Sequence, residues 1–150
     1  MAAQHRALDV ARYFLLKADP DEGELISNLK LQKLLYYAQG FHLALYDRPL
    51  FAETVVAWMH GPVVPEVYHE FKHNGAEGIP APTDFEPTEV FSPETLEFLD
   101  EVYDVYGQFS AWKLREMTHR EPPWAETPDG MRISHDAMQS YFKTQINQQD

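Results

Sequence analysis

Apolar residues return at helical spacing over His5–Lys17: Leu8, Ala11, Leu15 and Ala18 repeat, and Val10 and Phe14 widen that side. A first helix is predicted there. The stretch Ala18–Glu24 breaks the pattern with proline, glycine and charge. Ser27 or Asn28 can cap the next helix, which runs LKLQKLLYYAQGFHLALY to Tyr46. Leu31, Leu34, Leu35, Ala38, His42 and Leu45 form one apolar stripe on it. Lys30, Lys33, Tyr37, Gly40 and Ala44 form a second stripe of smaller residues. Glycine inside a helix costs about 1 kcal/mol relative to alanine. A close helix–helix approach at Gly40 would offset that, so this is predicted to be the central helix, wrapped on more than one side.

Beyond it, TVVAWM is β-branched, aromatic and bounded by turn residues, and reads as a strand. HGPVVP reads as a turn, followed by a short helix from Pro65 to His73 that Asn74-Gly75 stops. Residues Ala76–Ser92 are proline-rich and lack helical periodicity. They read as a long surface loop, with a short strand expected near Glu89-Val90-Phe91. Ser92-Pro93 opens another helix, with Leu96, Leu99, Val102, Tyr103 and Tyr106 on its apolar face and Gly107 at its end. SAWKLREMTH is a further helix that REPPW terminates. Ser134–Gln145 is the last, with Ala137, Met138, Tyr141 and Phe142 facing inward. The predicted fold is mainly α: a compact helical domain around a central helix at about 27–46, with a small β element near 50–60.

Composition narrows the function. A chain of 150 residues, 44% hydrophobic, is long enough for one domain with a real core. It has no cysteine, which excludes disulfides and thiolate metal sites and fits an intracellular location. The N-terminal segment is interrupted by Asp9 and Arg12 and is no signal peptide; no apolar run approaches a membrane span. The expected compartment is the cytoplasm. The net charge of −12 repels nucleic-acid phosphates, so direct nucleic-acid binding is not expected.

The one enzyme-like signal is His69-Glu70-Phe71-Lys72-His73. On a helix this spacing sets two imidazoles one turn apart beside a glutamate base, the zinc-peptidase pattern. Random placement of the seven histidines and fourteen glutamates gives the pattern with a probability of about 3%. The metzincin continuation would need glycine at 76 and histidine at 79, where this chain has Ala76 and Ile79. The helix is about two turns long. Tyr68 and Phe71 are expected on its inner side and the histidines outside. A zinc-dependent hydrolase is thus the alternative reading, and no cofactor is expected in the main one.

Glycine-rich phosphate loops and a G-x-S-x-G elbow are absent from the sequence. Two stretches stand out instead. AWMHGPVVPEVY gathers Trp58, His60, Gly61, Pro62, Pro65 and Tyr68; THREPPW places His119, Pro122, Pro123 and Trp124 just after a helix. They serve either as core plugs and loop stiffeners or as a rigid aromatic surface for a protein partner.

Taken in order, DVARYFL, ISNLKLQKLLYYAQGFHLAL, PLFAETVVAWMHGPVVPEVYHEFK and YGQFSAWKLREMTHREPPW resemble the SocA-like antitoxin family, the Panacea domain. The resemblance spans about Leu8 to Trp124 within a single domain of residues 1–150. The stretch 125–150 is either a variable segment that adapts the domain to its partner or a cover on the helical core. The resemblance implies an antitoxin of a bacterial or phage toxin–antitoxin module, without catalysis of its own. It would neutralise a cognate toxin, encoded by the adjacent gene, through direct contact or as an adaptor to a cellular protease. The family pattern extends over Lys30, Lys33, Tyr37, Gln39, Gly40, Trp58, Gly61, Pro62, Val63, Tyr68, Gly107, His119, Pro123 and Trp124. From these, and with His60 between Trp58 and Gly61, the candidate partner-binding residues are Lys30, Lys33, Tyr37, Gln39, Trp58, His60, Gly61, Pro62, Val63, Tyr68, His119 and Trp124.

Overall fold

Ser27 caps the helix on which the rest is assembled. Its Oγ accepts the Lys30 N–H at 3.2 Å, and the helix, α2, runs Asn28–Tyr46 before Asp47 turns left-handed at φ 57°. The computed structural model describes residues 5–18 and 25–147. The other elements are α1 (Ala7–Lys17), β1 (Val56–Trp58), β2 (Gly61–Val63), α3 (Pro65–Phe71), α4 (Pro87–Val90), α5 (Pro93–Tyr106), α6 (Ala111–His119), α7 (Pro122–Ala125) and α8 (His135–Asn147). A 3-10 turn over Lys72–Asn74 follows α3. The mainly α prediction holds: helices dominate, and the named strands form one two-stranded sheet.

From Leu31 to Gly40 every residue of α2 is buried, because α1, α3, α5, α6, α8 and β2 all pack on it. Burial on all sides removes the amphipathic contrast that ordinarily orients a surface helix. Gly40 is where α8 comes closest. A methyl group there would overlap the Phe142 ring, which is fully buried. The close approach predicted at Gly40 is therefore present, and α8 supplies it. Phe142 continues into an aromatic cluster with Tyr36, Tyr37 and Phe41, ring centroids 4.7–5.9 Å from its own.

β1 and β2 are antiparallel, with Val56 opposite Val63, Ala57 opposite Pro62 and Trp58 opposite Gly61. Pro62 is tolerated because Ala57 spends both backbone groups on the other side. Its N–H donates to Met131 O at 2.9 Å and its carbonyl accepts the Gly130 N–H at 2.7 Å. Gly61 sits at φ 116°, a conformation that favours glycine, at the end of the tight turn.

Several expectations shift on packing. The buried face of α1 is Ala7, Val10, Ala11, Tyr13, Phe14 and Leu15; Leu8 and Ala18 lie at its edge. Leu45, expected in the stripe of α2, is 47% exposed; it lines an open groove with Val105 of α5 and Ile146 of α8. HGPVVP supplies a strand as well as the turn. No strand forms at Glu89-Val90-Phe91; Pro87 starts a helical turn there, and Phe91 is buried against Tyr13 and His5. Phe98, absent from the predicted apolar face of α5, is buried. The segment Asp19–Glu24, predicted as a break, lies outside the described residues.

Candidate functional site

The buried face of α2 is unusually polar, and its polar groups tie the loops to the helix. Gln39 Oε1 accepts the Leu50 and Phe51 N–H groups at 2.8 and 3.2 Å, and its Nε2 donates to Phe51 O at 2.8 Å. Gln32 Oε1 accepts the Val64 N–H at 2.9 Å while its Nε2 donates to Asn28 Oδ1 at 2.9 Å. Asn28 Nδ2 in turn donates to Tyr68 O at 3.0 Å. Gln39 and Gln32 thus satisfy backbone groups that loops leave unpaired, and Asn28 a carbonyl in the last turn of α3.

Two ionisable groups belong to the same interior. Glu121 lies between α6 and α7 and accepts the hydroxyls of Tyr36 and Tyr37 at 2.9 and 2.8 Å, one on each carboxylate oxygen. Burial raises its pKa to about 7, although the hydroxyls of Tyr37, Tyr36 and Tyr141 favour the charged form. Lys33 is fully buried. Its Nζ reaches Pro62 O at 3.4 Å, and Gly61 and Thr118 press on the same region: a Cβ on Gly61 would stand 2.7 Å from Lys33 Cε and 2.9 Å from Thr118 Oγ1. Burial, reinforced by the Arg115 charge, lowers the Lys33 pKa to about 7.

Above Lys33 stands the β1–β2 hairpin with its aromatic supports. Trp58 packs edge-on against Tyr68 with ring centroids 5.0 Å apart. Trp124 Nε1 donates to Trp58 O at 2.8 Å, and the Trp124 ring lies flat on His119 at 3.9 Å. Arg115 Nε donates to His60 Nδ1 at 3.1 Å, and its guanidinium sits 4.6 Å over the Trp112 ring. Outermost are Met59, 71% exposed, and Trp112, 58% exposed. Desolvation lowers the His119 pKa, the nearby Arg115, Lys33 and His60 side chains lower it further, and its hydrogen bond to the Met59 backbone opposes them. Its Nε2 is buried with no hydrogen-bond partner. A cavity of about 660 Å³ opens beside the hairpin, between α2, β1, β2 and α3, with Lys33, Trp58, His60, Val63 and Tyr68 in its wall. A second cavity, about 630 Å³, lies at the start of α2 by Leu25, Lys30 and Gly107.

The candidate residues therefore divide. Trp58, His60, Gly61, Pro62, Val63, Tyr68, His119 and Trp124 are brought together with Lys33 around the hairpin. Tyr37 and Gln39 are fully buried and bind this chain's own Glu121 and Leu50–Phe51 segment. Lys30 lies apart; its Nζ donates to Gly107 O at 2.7 Å, tying α2 to the end of α5. Sequence reasoning missed Met59, Trp112, Arg115 and Glu121. Trp112 and Arg115 carried a signal, an aromatic and a cation three residues apart on one helix.

The His-Glu-x-x-His stretch does not form one helical face. His69 is in α3, which ends at Phe71, and His73 is in the 3-10 turn. Both are exposed, as is Glu70. Among the described residues no group of three or more histidine, aspartate or glutamate side chains is placed to hold a metal ion. No helix among them is long and apolar enough to cross a membrane.

What these elements define is a helical domain with a polar-pinned central helix and an outward aromatic hairpin. Residues 31–125 match the family model described as antitoxin SocA-like, Panacea domain. This covers more than half of the chain, from the first buried turns of α2 to the end of α7, and the chain belongs to that family. Over 54 residues it is 52% identical to a protein named Antitoxin SocA from Caulobacter vibrioides (strain NA1000 / CB15N), a stretch covering 36% of this chain and 29% of that protein. No solved structure matches the chain.

Proposed function

We propose that this chain is the antitoxin of a toxin–antitoxin pair. It neutralises a protein toxin, the product of an adjacent gene, by direct contact and without catalysis of its own. The observation that carries this reading is the family match over residues 31–125. The geometry supports a place for the contact. Met59 and Trp112 stand exposed on a scaffold held by the Arg115–His60 hydrogen bond and the Arg115–Trp112 stack. Rigid aromatic side chains anchor interfaces at low entropic cost, and methionine and arginine are enriched beside them. The reading takes the chain as one unit in which α8 closes the helical core through Phe142.

Co-expression with the neighbouring gene tests it. That gene alone should arrest growth, this chain should relieve the arrest, and the two proteins should purify together. A harmless neighbour, or one that stays toxic beside this chain, refutes the reading. Toxin that persists at constant level indicates blocking by contact; toxin that disappears only when a cellular protease is present indicates the adaptor mode.

A further inference from the structure

The Lys33 ammonium is an unmet charge. Of its three N–H donors, one reaches a partner, Pro62 O, and at 3.4 Å that bond is long for a buried charged group. Among the described residues Lys33 forms no ion pair, and the charged neighbour that acts on it, Arg115, is a second cation. A region in which cations outnumber acids, in a chain whose net charge is −12, is complementary to an anion arriving from outside. The cavity of about 660 Å³ has Lys33 in its wall, the Trp58 and Tyr68 rings beside it and Lys72 in its lining; Asp129 is the single acid there.

We infer that this cavity receives an acidic side chain of the bound toxin, whose carboxylate pairs with Lys33 while its aliphatic stem lies against Trp58 and Tyr68. The inference rests on the toxin-binding reading above. Solvent does not reach Lys33 in the free chain. Contact therefore requires a rotation of its flexible stem, or a small displacement of the Gly61–Pro62 edge that covers it. A single carboxylate is favoured over a nucleic-acid backbone, because a polyanion meets the repulsion of the whole chain, whereas one carboxylate meets the local field.

The experiment uses the full chain and the intact toxin from the adjacent gene. Dissociation constants are measured for the wild type and for Lys33→Met, which keeps the stem and removes the charge, while circular dichroism reports folding. Each exposed aspartate and glutamate of the toxin is changed to its amide and measured against both chains. Lys33→Met should bind at least about tenfold more weakly. One toxin amide should weaken binding to the wild type similarly, and should have little further effect on Lys33→Met, a coupling that lost packing would not produce. The amide scan against wild type reads the site even if Lys33→Met folds poorly. Binding by Lys33→Met within about twofold of wild type, or a toxin scan in which no acid couples to Lys33, overturns the inference and leaves toxin binding standing. Failure of the toxin to bind the wild type overturns both. In the absence of toxin, thermal stabilisation by sodium acetate or inorganic phosphate that disappears in Lys33→Met would assign the site to a small anion and overturn the protein source.

Discussion

Replacing Lys33 by methionine in the free chain should make it more stable. Lys33 titrates near 10.5 when exposed and at about 7 in the folded chain, where it is fully buried. Folding therefore weakens its hold on the proton, and the unfolded chain binds more protons between those two values. At about 1.4 kcal/mol per pH unit, the penalty is roughly 4 kcal/mol near pH 7 and roughly 1 kcal/mol near pH 9.5. The Lys33 contribution to wild-type stability should accordingly rise by about 2.5 kcal/mol between about pH 7.5 and 9.5. Methionine retains most of the stem between Gly61, Thr118 and Pro62 without the charge, and replacing a buried unpaired charge by an apolar group of similar volume is stabilising. Lys33→Met should be the more stable protein at pH 7, with the two curves converging toward pH 9.5. Urea denaturation at several values across that window measures both. Glu121 has mostly titrated below this window and the raised tyrosines begin to lower stability only toward its upper end; both are present in Lys33→Met, so the difference between the two curves isolates Lys33. A wild type whose stability is flat across the window, or a Lys33→Met variant less stable throughout, would show that the ammonium is compensated and refute the reasoning.

Glu121 gives the opposite slope. Its folded pKa is raised from 4.5 to about 7, so the folded chain holds the proton more tightly and stability falls as pH rises through that interval. Glu121→Gln should remove that fall, read as the difference between thermal-melt profiles from about pH 4.5 to 7.5. Gly40→Ala should destabilise by about 1–3 kcal/mol in urea, since its methyl group meets the Phe142 ring. Gln39→Leu should lower stability by about 2–5 kcal/mol, because it strips the Leu50 and Phe51 backbone groups of partners. Trp112→Ala, at an exposed position, should leave the melting temperature within about 2 °C and weaken toxin binding by about tenfold or more, measured by calorimetry.

Much of the architecture was legible along the chain because it is local. Ser27, Ser92 and Ser110 cap helices through their own hydroxyls, and Pro93 presets the first turn of α5. Those effects act within four residues and need no tertiary context. Gly40 in a helix interior announced a close approach for the same reason: an intrinsic penalty implies a compensating contact. The hairpin site was partly legible. Its aromatic and proline residues stood out as a cluster in AWMHGPVVPEVY and THREPPW, and both stretches meet around Trp58.

Tertiary structure decided what those residues do. Lys33, Tyr37 and Gln39 read alike as candidate partner-binding positions on one helix, yet burial from several sides makes one an unmet charge, one a donor to Glu121 and one a clamp on the Leu50–Phe51 segment. The reverse holds for Leu45, apolar in sequence and exposed in the groove it lines with Val105 and Ile146. His69 and His73 lost their shared face when α3 gave way to a 3-10 turn after Phe71. Sequence by itself determined where the longer helices run and, at Ser27, Ser92 and Ser110, where they start, since caps are short-range; the single helical turns Pro87–Val90 and Pro122–Ala125 were not legible in it. Which polar groups are desolvated, and with whom they pair, depended on residues as far apart as Tyr36 and Glu121, and distance along the chain carries no record of that pairing.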